Sequence, residues 1–264
     1  MSNLQGKVII VTGAAMGLGL AAAEVLASKG ANVALVDYNE EELGKAKTDL
    51  ESRFPESQFL AVTADVSDEE AVKNYVQKTA EKFGKIDGLY NNAGIEGKQA
   101  SLVDYDVNVF KKVIDINLLG VYYGMKYTIP EMRKNGGGRI VNVSSVGGIR
   151  GVLNQTAYVA TKHAVAGMTK NAALEYGQYN ILTNAIAPGA ILTPMVEEAF
   201  AQVNPADPEA ALKEYASRNP TRKLGKSEDI GHLVAFLLSD DNGYISGQII
   251  AIDGGESNMY GNPS

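Results

Sequence analysis

Residues 7–19 read KVIIVTGAAMGLG, and the reading of this stretch decides the fold. Val8 to Val11 form an apolar, mostly β-branched run too short for a helix. Its lack of alternation predicts a strand buried on both faces of a parallel sheet. Thr12 to Gly19 follow as TGAAMGLG, with glycines at 13, 17 and 19. Glycine permits a tight turn out of the strand and a close approach of backbone to a diphosphate. It also opens a helix whose free N–H groups favour an anion. Glycines alone mark any tight strand–helix turn. Their place between the first apolar strand and a helix-length stretch points to dinucleotide binding by Gly13, Met16, Gly17, Leu18 and Gly19.

Outward from this loop, short apolar runs alternate with amphipathic stretches. Strands are predicted at 7–12, 32–37, 58–64, 86–90, 139–144, 182–187 and 248–252. Helices are predicted at 17–29, 40–54, 68–83, 108–135, 157–176 and 228–238. Ser67-Asp68 stands where a cap belongs, and Gly30, Gly84 and Gly177 where helices should stop. Strand–helix alternation at these lengths implies a doubly wound, mostly parallel seven-stranded sheet with helices on both faces. No repeat or linker divides the chain, so residues 1–264 are expected to form one domain. Residues 195–220 break the rhythm as two short amphipathic pieces around Pro205 and Pro208. Following a strand's carboxyl end, they are either a lid over a ligand crevice or a surface excursion.

The second strand ends at Asp37, followed by Tyr38, Asn39 and two glutamates. A carboxylate there accepts both ribose hydroxyls of an adenosine and repels a 2′-phosphate, so NAD is expected over NADP. Asp65 after the third strand either meets the adenine amino group, with the Val66 backbone helping, or turns the chain into a helix.

Bulk properties narrow the classes. The chain is 45% hydrophobic and 21% charged, ordinary for a globular protein. A net charge of −7 without basic clusters argues against a nucleic-acid or anionic-membrane surface. No cysteine is present, which excludes disulfides, thiolate catalysis and cysteine-ligated metals, and fits a reducing cytoplasm. The polar N-terminus lacks the apolar segment of a signal peptide, and no stretch approaches the ~20 apolar residues of a spanning helix.

Tyr158 and Lys162 are spaced i, i+4 in YVATK and share one helix face. Exposed Tyr and Lys meet at that spacing constantly, so the neighbours carry the argument. A phenol gives up its proton near pH ~10 in water; a nearby ammonium and a positive nicotinamide are expected to lower that value. Tyrosine then exchanges a proton with an alcohol or ketone as hydride moves. Ser145, at the end of the fifth strand, is placed to stabilise the substrate oxygen as it gains charge.

In order along the chain stand TGxxxGxG at 12–19, NNAG at 91–94, Asn117 in DINLLG and Ser145 before YxxxK. PG at 188–189, Thr193 in ILTPM and IDGG at 252–255 complete the set. The set resembles the short-chain dehydrogenase/reductase family across essentially the whole chain. The resemblance implies a Rossmann fold with a small helical substrate lid. It implies that Asn117 holds a water in a proton relay through Lys162, and that Lys162 binds the nicotinamide ribose. Asn91, Ala93 and Gly94 would line the cofactor cleft. Pro188, Gly189, Ile191, Thr193 and Met195 would embrace the nicotinamide. Asn117 could equally brace a helix kink, and Asn91 could tie strands together. NNAGIEGK, SVGGIRG and APGAILTPMVE are similar to segments of members acting on cyclic ketones or diketones. Glu96, Val146, Gly147, Asn154 and Gln155 are pocket candidates beside Ser145 and Tyr158. The family is commonly tetrameric, which implies interfaces from helices 108–135 and 157–176 and from the last strand with the C-terminal tail.

His163 and His232 show no metal-ligand spacing, and the acidic runs 40–42 and 68–70 read as helix-start charges, so no metal is expected. The rivals are a dinucleotide-sensing regulator without turnover and a methyltransferase. The first can dispense with Ser–Tyr–Lys, and the second leaves YxxxK and NNAG unexplained.

Overall fold

Seven strands pair in the order β3-β2-β1-β4-β5-β6-β7, every neighbour parallel, in a computed structural model that describes residues 4–259. They are β1 (Val8–Thr12), β2 (Asn32–Asp37), β3 (Phe59–Thr63), β4 (Gly88–Asn91), β5 (Gly138–Val143), β6 (Ile181–Pro188) and β7 (Ile249–Ile252). The expected mostly parallel sheet is thus wholly parallel among the described residues. The C-terminal tail beyond Met259, and the first three residues, lie outside them.

Unalternating strands have a simple cause. In β1, Ile9 and Val11 face one core while Ile10 faces the other; in β2, Val33 and Leu35 oppose Ala34 and Val36. The first core takes α1 (Gly17–Ser28), α2 (Glu40–Arg53) and α9 (Ser227–Leu238) through Val25, Leu43 and Val234. The second takes α3 (Glu69–Phe83), α5 (Gly120–Lys134) and α6 (Thr156–Tyr176) through Tyr75, Met125 and Val165. No described helix is long and apolar enough to cross a membrane.

Local signals act largely as expected. Asp68 Oδ1 accepts from the N–H groups of Glu70 and Ala71, capping α3, and Gly84 closes it at φ 77°. The α-helix α6 ends at Tyr176 with Gly177 as its C-cap, although Gly177 is not the left-handed residue. Its φ is −56°, the chain tightens into a 3₁₀ turn, and Asn180 supplies the left-handed residue at φ 57°. The predicted single helix 108–135 is α4 (Val107–Ile114), a π turn over Asp115–Leu119, and α5. Residues 194–218 form two helices, α7 (Pro194–Val203) and α8 (Pro208–Arg218), with Pro205 in the break and Pro208 opening α8.

Candidate functional site

The strand order reverses between β1 and β4, and the carboxyl ends of β1, β4 and β5 converge there. In open parallel sheets such a switch point leaves a crevice for ligand. The loop after β1 is built for close approach. A Cβ on Gly13 would fall 2.8 Å from Asn92 Nδ2 and 3.0 Å from Ala93 Cα, so only glycine lets the two loops touch. Gly17, at φ +58°, faces Thr193 across 3.9 Å from where a Cβ would stand. Met16 caps α1 without any side-chain hydrogen bond, which leaves the first-turn N–H groups to an anion. Met16 and Tyr38 are exposed, and Leu18 and Gly19 sit on the same first turn of α1.

Asp37 is buried, and Oδ2 accepts from the Ala15 N–H at 3.0 Å while Oδ1 accepts from Asn39 N–H at 3.1 Å. The carboxylate therefore holds the phosphate loop and stands beside it. Bare first-turn donors, a glycine-cleared wall and a carboxylate at the next strand's end together fit a dinucleotide. Asp65 is exposed, and its Oδ1 accepts from both N–H and hydroxyl of Ser67, which is the turn into α3. Val66 is buried against the start of α5, where a Cβ on Gly120 would reach it at 2.9 Å.

Asn91 and Asn117 are both engaged in bracing. Asn91 Nδ2 donates to Asn142 Oδ1 at 3.0 Å and to the Val121 carbonyl at 3.3 Å, tying β4 to β5 and α5. Its amide is turned to this tie, so the strand-tie reading describes its side chain. Asn117 lies in the π turn, fully buried; Oδ1 accepts from Ile95 N–H at 2.8 Å and Nδ2 donates to the Ile95 carbonyl at 2.7 Å. A Cβ on Gly94 would lie 3.1 Å from Asn117 Oδ1 and 3.7 Å from Lys162 Nζ, so these three meet.

Ser145, Tyr158 and Lys162 come together at the end of β5. Ser145 Oγ accepts from Gly147 N–H at 3.0 Å, which leaves its own proton to donate outward. Gly147 packs between Ser145 and Tyr158, with a Cβ position 3.5 Å from Ser145 Oγ and 3.6 Å from the tyrosine ring. Lys162 is 3% exposed, and Nζ donates to the Val143 carbonyl at 2.8 Å. Burial pushes the Lys162 ammonium down to about 8. In the protein alone, burial pushes the Tyr158 phenol up to about 12, the Ser145 hydrogen bond offsets this in part and the Glu96 charge adds to it; the expected lowering belongs to the state with the positive nicotinamide beside it. Low-dielectric surroundings penalise the phenolate, and Lys162 Nζ stands 5.4 Å from the centre of the ring.

The pocket candidates gather beside them. Glu96 Oε1 accepts from Gln155 Nε2 at 2.6 Å and Gln99 Nε2 at 3.1 Å, and burial raises its carboxyl. Asn154 takes a left-handed conformation, φ 62°, and its carbonyl accepts from Ala100 N–H, joining the loops after β4 and β5. Val146 is buried beside Ser145. On the opposite wall, Pro188 ends β6, Gly189 packs against Asp253, Ile191 bridges Gly225, and Thr193 Oγ1 caps α7 by accepting from Val196 N–H; Met195 is exposed. Among the described residues no cluster of three or more His, Cys, Asp or Glu side chains is placed to hold a metal.

Four contributors were not singled out from sequence. Thr12 Oγ1 accepts from the N–H groups of Asn92 and Ala93 at 3.0 and 3.1 Å, and Asn92 Nδ2 donates to the Thr12 carbonyl. Asn92 stood in view as the second residue of NNAG. Ser144 Oγ donates to the Lys162 carbonyl at 3.0 Å, holding α6 to β5 at the lysine. Glu256, just past IDGG, is a buried acid that joins Arg150 and Tyr215.

Comparison with known proteins gives a consistent picture. Residues 13–257 match the sequence model of a family described as Enoyl-(Acyl carrier protein) reductase. Levodione reductase of Leifsonia aquatica is 47% identical over 254 residues, covering 96% of this chain and 95% of the relative. A crystal structure of levodione reductase superposes with a TM-score of 0.96 at 46% identity, over 98% of this chain and 100% of that one. NAD+-bound xylitol dehydrogenase gives 0.90 at 36%, over 96% and 99%. L-sorbose reductase from Gluconobacter frateurii, complexed with NADPH and L-sorbose, gives 0.90 at 29%, over 96% and 97%.

Proposed function

The chain belongs to the short-chain dehydrogenase/reductase family, and on that premise we propose that it moves a hydride between NAD(H) and a secondary alcohol or ketone. The observation that carries this is the meeting of Ser145, Tyr158 and Lys162 beside the glycine loop at the sheet's switch point. When bound, the nicotinamide supplies or accepts the hydride. Tyr158 Oη gives a proton to the substrate oxygen in reduction and takes it in oxidation. Ser145, its Oγ fixed by Gly147 N–H, donates its remaining proton to that oxygen and stabilises developing negative charge. Lys162 places a buried cation beside Tyr158, favouring phenolate, and binds ribose hydroxyls. Asn117 steadies Ile95 and with it the floor between Gly94 and Lys162; its relay role rests on the family resemblance.

Asp37 supports NAD, since no Lys or Arg stands between 37 and 42 to meet a 2′-phosphate. Likeness to levodione reductase supports a cyclic ketone or diketone, met by Glu96, Val146, Gly147 and Gln155. We read the chain as one domain in the cytoplasm, with α7 and α8 as a lid. Exposed Tyr122 on α5 and Leu174 on α6 support assembly through those helices, as in a homotetramer.

The test is a screen of cyclic ketones, linear ketones, polyols and hydroxysteroids, following reduced cofactor by absorbance with NAD(H) and NADP(H) separately. Turnover of a ketone or alcohol that prefers NAD is expected. A preference for NADP refutes the cofactor reading, and dinucleotide binding with no turnover of any substrate refutes the catalytic one.

A further inference from the structure

We propose that Glu256 is a positioning residue that latches the lid helices α7 and α8 onto the Ser145 and Gly189 loops. The proposal rests on the reading of these helices as the cover of the reaction crevice.

Hydrophobic burial cannot hold this cover. In α7 only Ala199 is buried, and in α8 no residue is. Segments with so few buried apolar contacts open readily unless polar contacts fix them. Two such contacts meet at Glu256, whose side chain is 5% exposed. Its Oε1 accepts from Tyr215 Oη of α8 at 2.6 Å and from Arg150 Nη2. Arg150 lies on the segment that begins at Ser145, and its N–H donates to the Val146 carbonyl. One carboxylate oxygen therefore joins the lid to the segment that positions the substrate-oxygen donor.

The other oxygen, Oε2, makes no hydrogen bond and lies against Gly189, where a Cβ would stand 3.1 Å away. Glu256 is itself held: Asp253 accepts from Gly255 N–H at 2.9 Å and Ser257 N–H at 2.7 Å, closing the turn after β7. Asn219, the residue after α8, donates from Nδ2 to the Asp253 carbonyl at 2.8 Å. Both the last turn of α8 and its exit thus grip the same turn. Tyr215 carries the restraint to α7 through an edge contact with Phe200, ring centroids 5.2 Å apart. The far side of α7 is met by longer contacts, Gln99 N–H donating to Gln202 Oε1 at 3.1 Å and Gln99 Nε2 to the Ala199 carbonyl at 3.4 Å. Release at Glu256 frees α8 first.

Tyr215→Phe removes the hydroxyl and keeps the ring against Phe200, so it tests the latch with little risk to folding. Hydrogen exchange on the full chain, read by mass spectrometry, is expected to quicken about tenfold or more across 194–218 while β1–β5 stay unchanged, a hydrogen bond to a carboxylate being worth that factor in a local equilibrium. Glu256→Gln, which keeps an acceptor for Tyr215, is expected to fall between wild type and Tyr215→Phe. With a turned-over substrate, Tyr215→Phe is expected to raise KM severalfold with a smaller change in kcat. Unchanged exchange across 194–218 in both variants overturns the latch, as does a uniform rise over all strands. Exchange is read without substrate, so a chain that turns over nothing sinks the oxidoreductase reading and leaves the latch decided on its own.

Discussion

Lys162 holds its ammonium 5.4 Å from the centre of the Tyr158 ring while donating to the Val143 carbonyl at 2.8 Å. The arrangement strains the folded state. Burial lowers Lys162 to about 8 from an ordinary 10.5, so above pH 8 the folded chain binds fewer protons than the unfolded one. Stability therefore rises with pH from about 8, and the burial penalty is fully present below it. At about 1.4 kcal/mol per unit, the penalty is on the order of 3 kcal/mol at neutral pH. Lys162→Met removes the charge and one hydrogen bond worth about 1 kcal/mol, so it is expected to stabilise by up to about 2 kcal/mol at pH 7. Urea unfolding at pH 7 and pH 10 checks this: the advantage should shrink at the higher pH, and activity should be lost at both.

Tyr158 runs the other way. Its phenol, raised to about 12 from an ordinary 10, keeps its proton after the unfolded chain has released one, so it withdraws stability as pH rises from 10 to 12. The chain alone keeps Tyr158 protonated at neutral pH, as an acid suited to reduction. The rate of alcohol oxidation is expected to climb through the alkaline range while ketone reduction does not. Tyr158→Phe should lower kcat by about 10²–10⁴-fold in both directions and leave dinucleotide affinity within about twofold. Steady-state rates and a fluorescence titration with NADH read the two quantities separately.

Asp37 accepts from Ala15 N–H, and in the proposed function it also meets the ribose. Asp37→Ala should weaken NAD about ten- to a hundredfold, the worth of a hydrogen-bonded carboxylate, and weaken NADP less, since a repelling charge is also gone. The ratio of kcat/KM values for the two cofactors gives the answer. An unchanged ratio would mean that Asp37 only shapes the loop.

The fold was legible in the sequence where short-range physics decides it. Val8 to Val11 and Val33 to Val36 read as doubly buried strands because their odd and even residues face different cores. A kink at Asn117 was one reading of the sequence, but the π turn over Asp115–Leu119 was not legible, since it leaves apolar spacing almost unaltered. Ser145, Tyr158 and Lys162 were found by order along the chain. The upward push of burial on Tyr158 in the protein alone was not legible, because burial depends on tertiary packing that local spacing does not encode. Glu256 was invisible for a similar reason: its partners lie 41 and 106 residues away. Asp65 shows a local pattern with two meanings, and the structure places it in a turn.

Thr12 offers the sharpest test of how the glycine loop is held. Its Oγ1 accepts from both Asn92 N–H and Ala93 N–H. Thr12→Val keeps shape and volume but leaves two half-buried donors unpaired, at about 1 kcal/mol each, the low end for such groups. Since a Cβ on Gly13 would already touch Asn92 and Ala93, the two loops have no slack to re-pair those donors. The expected result is a fall in stability of about 2 kcal/mol by urea unfolding, together with weaker dinucleotide binding. Thr12→Ser retains the acceptor and should restore most of both. If Thr12→Val instead loses stability but binds dinucleotide as wild type does, the Asn92 contact supports the sheet end alone and does not shape the phosphate loop.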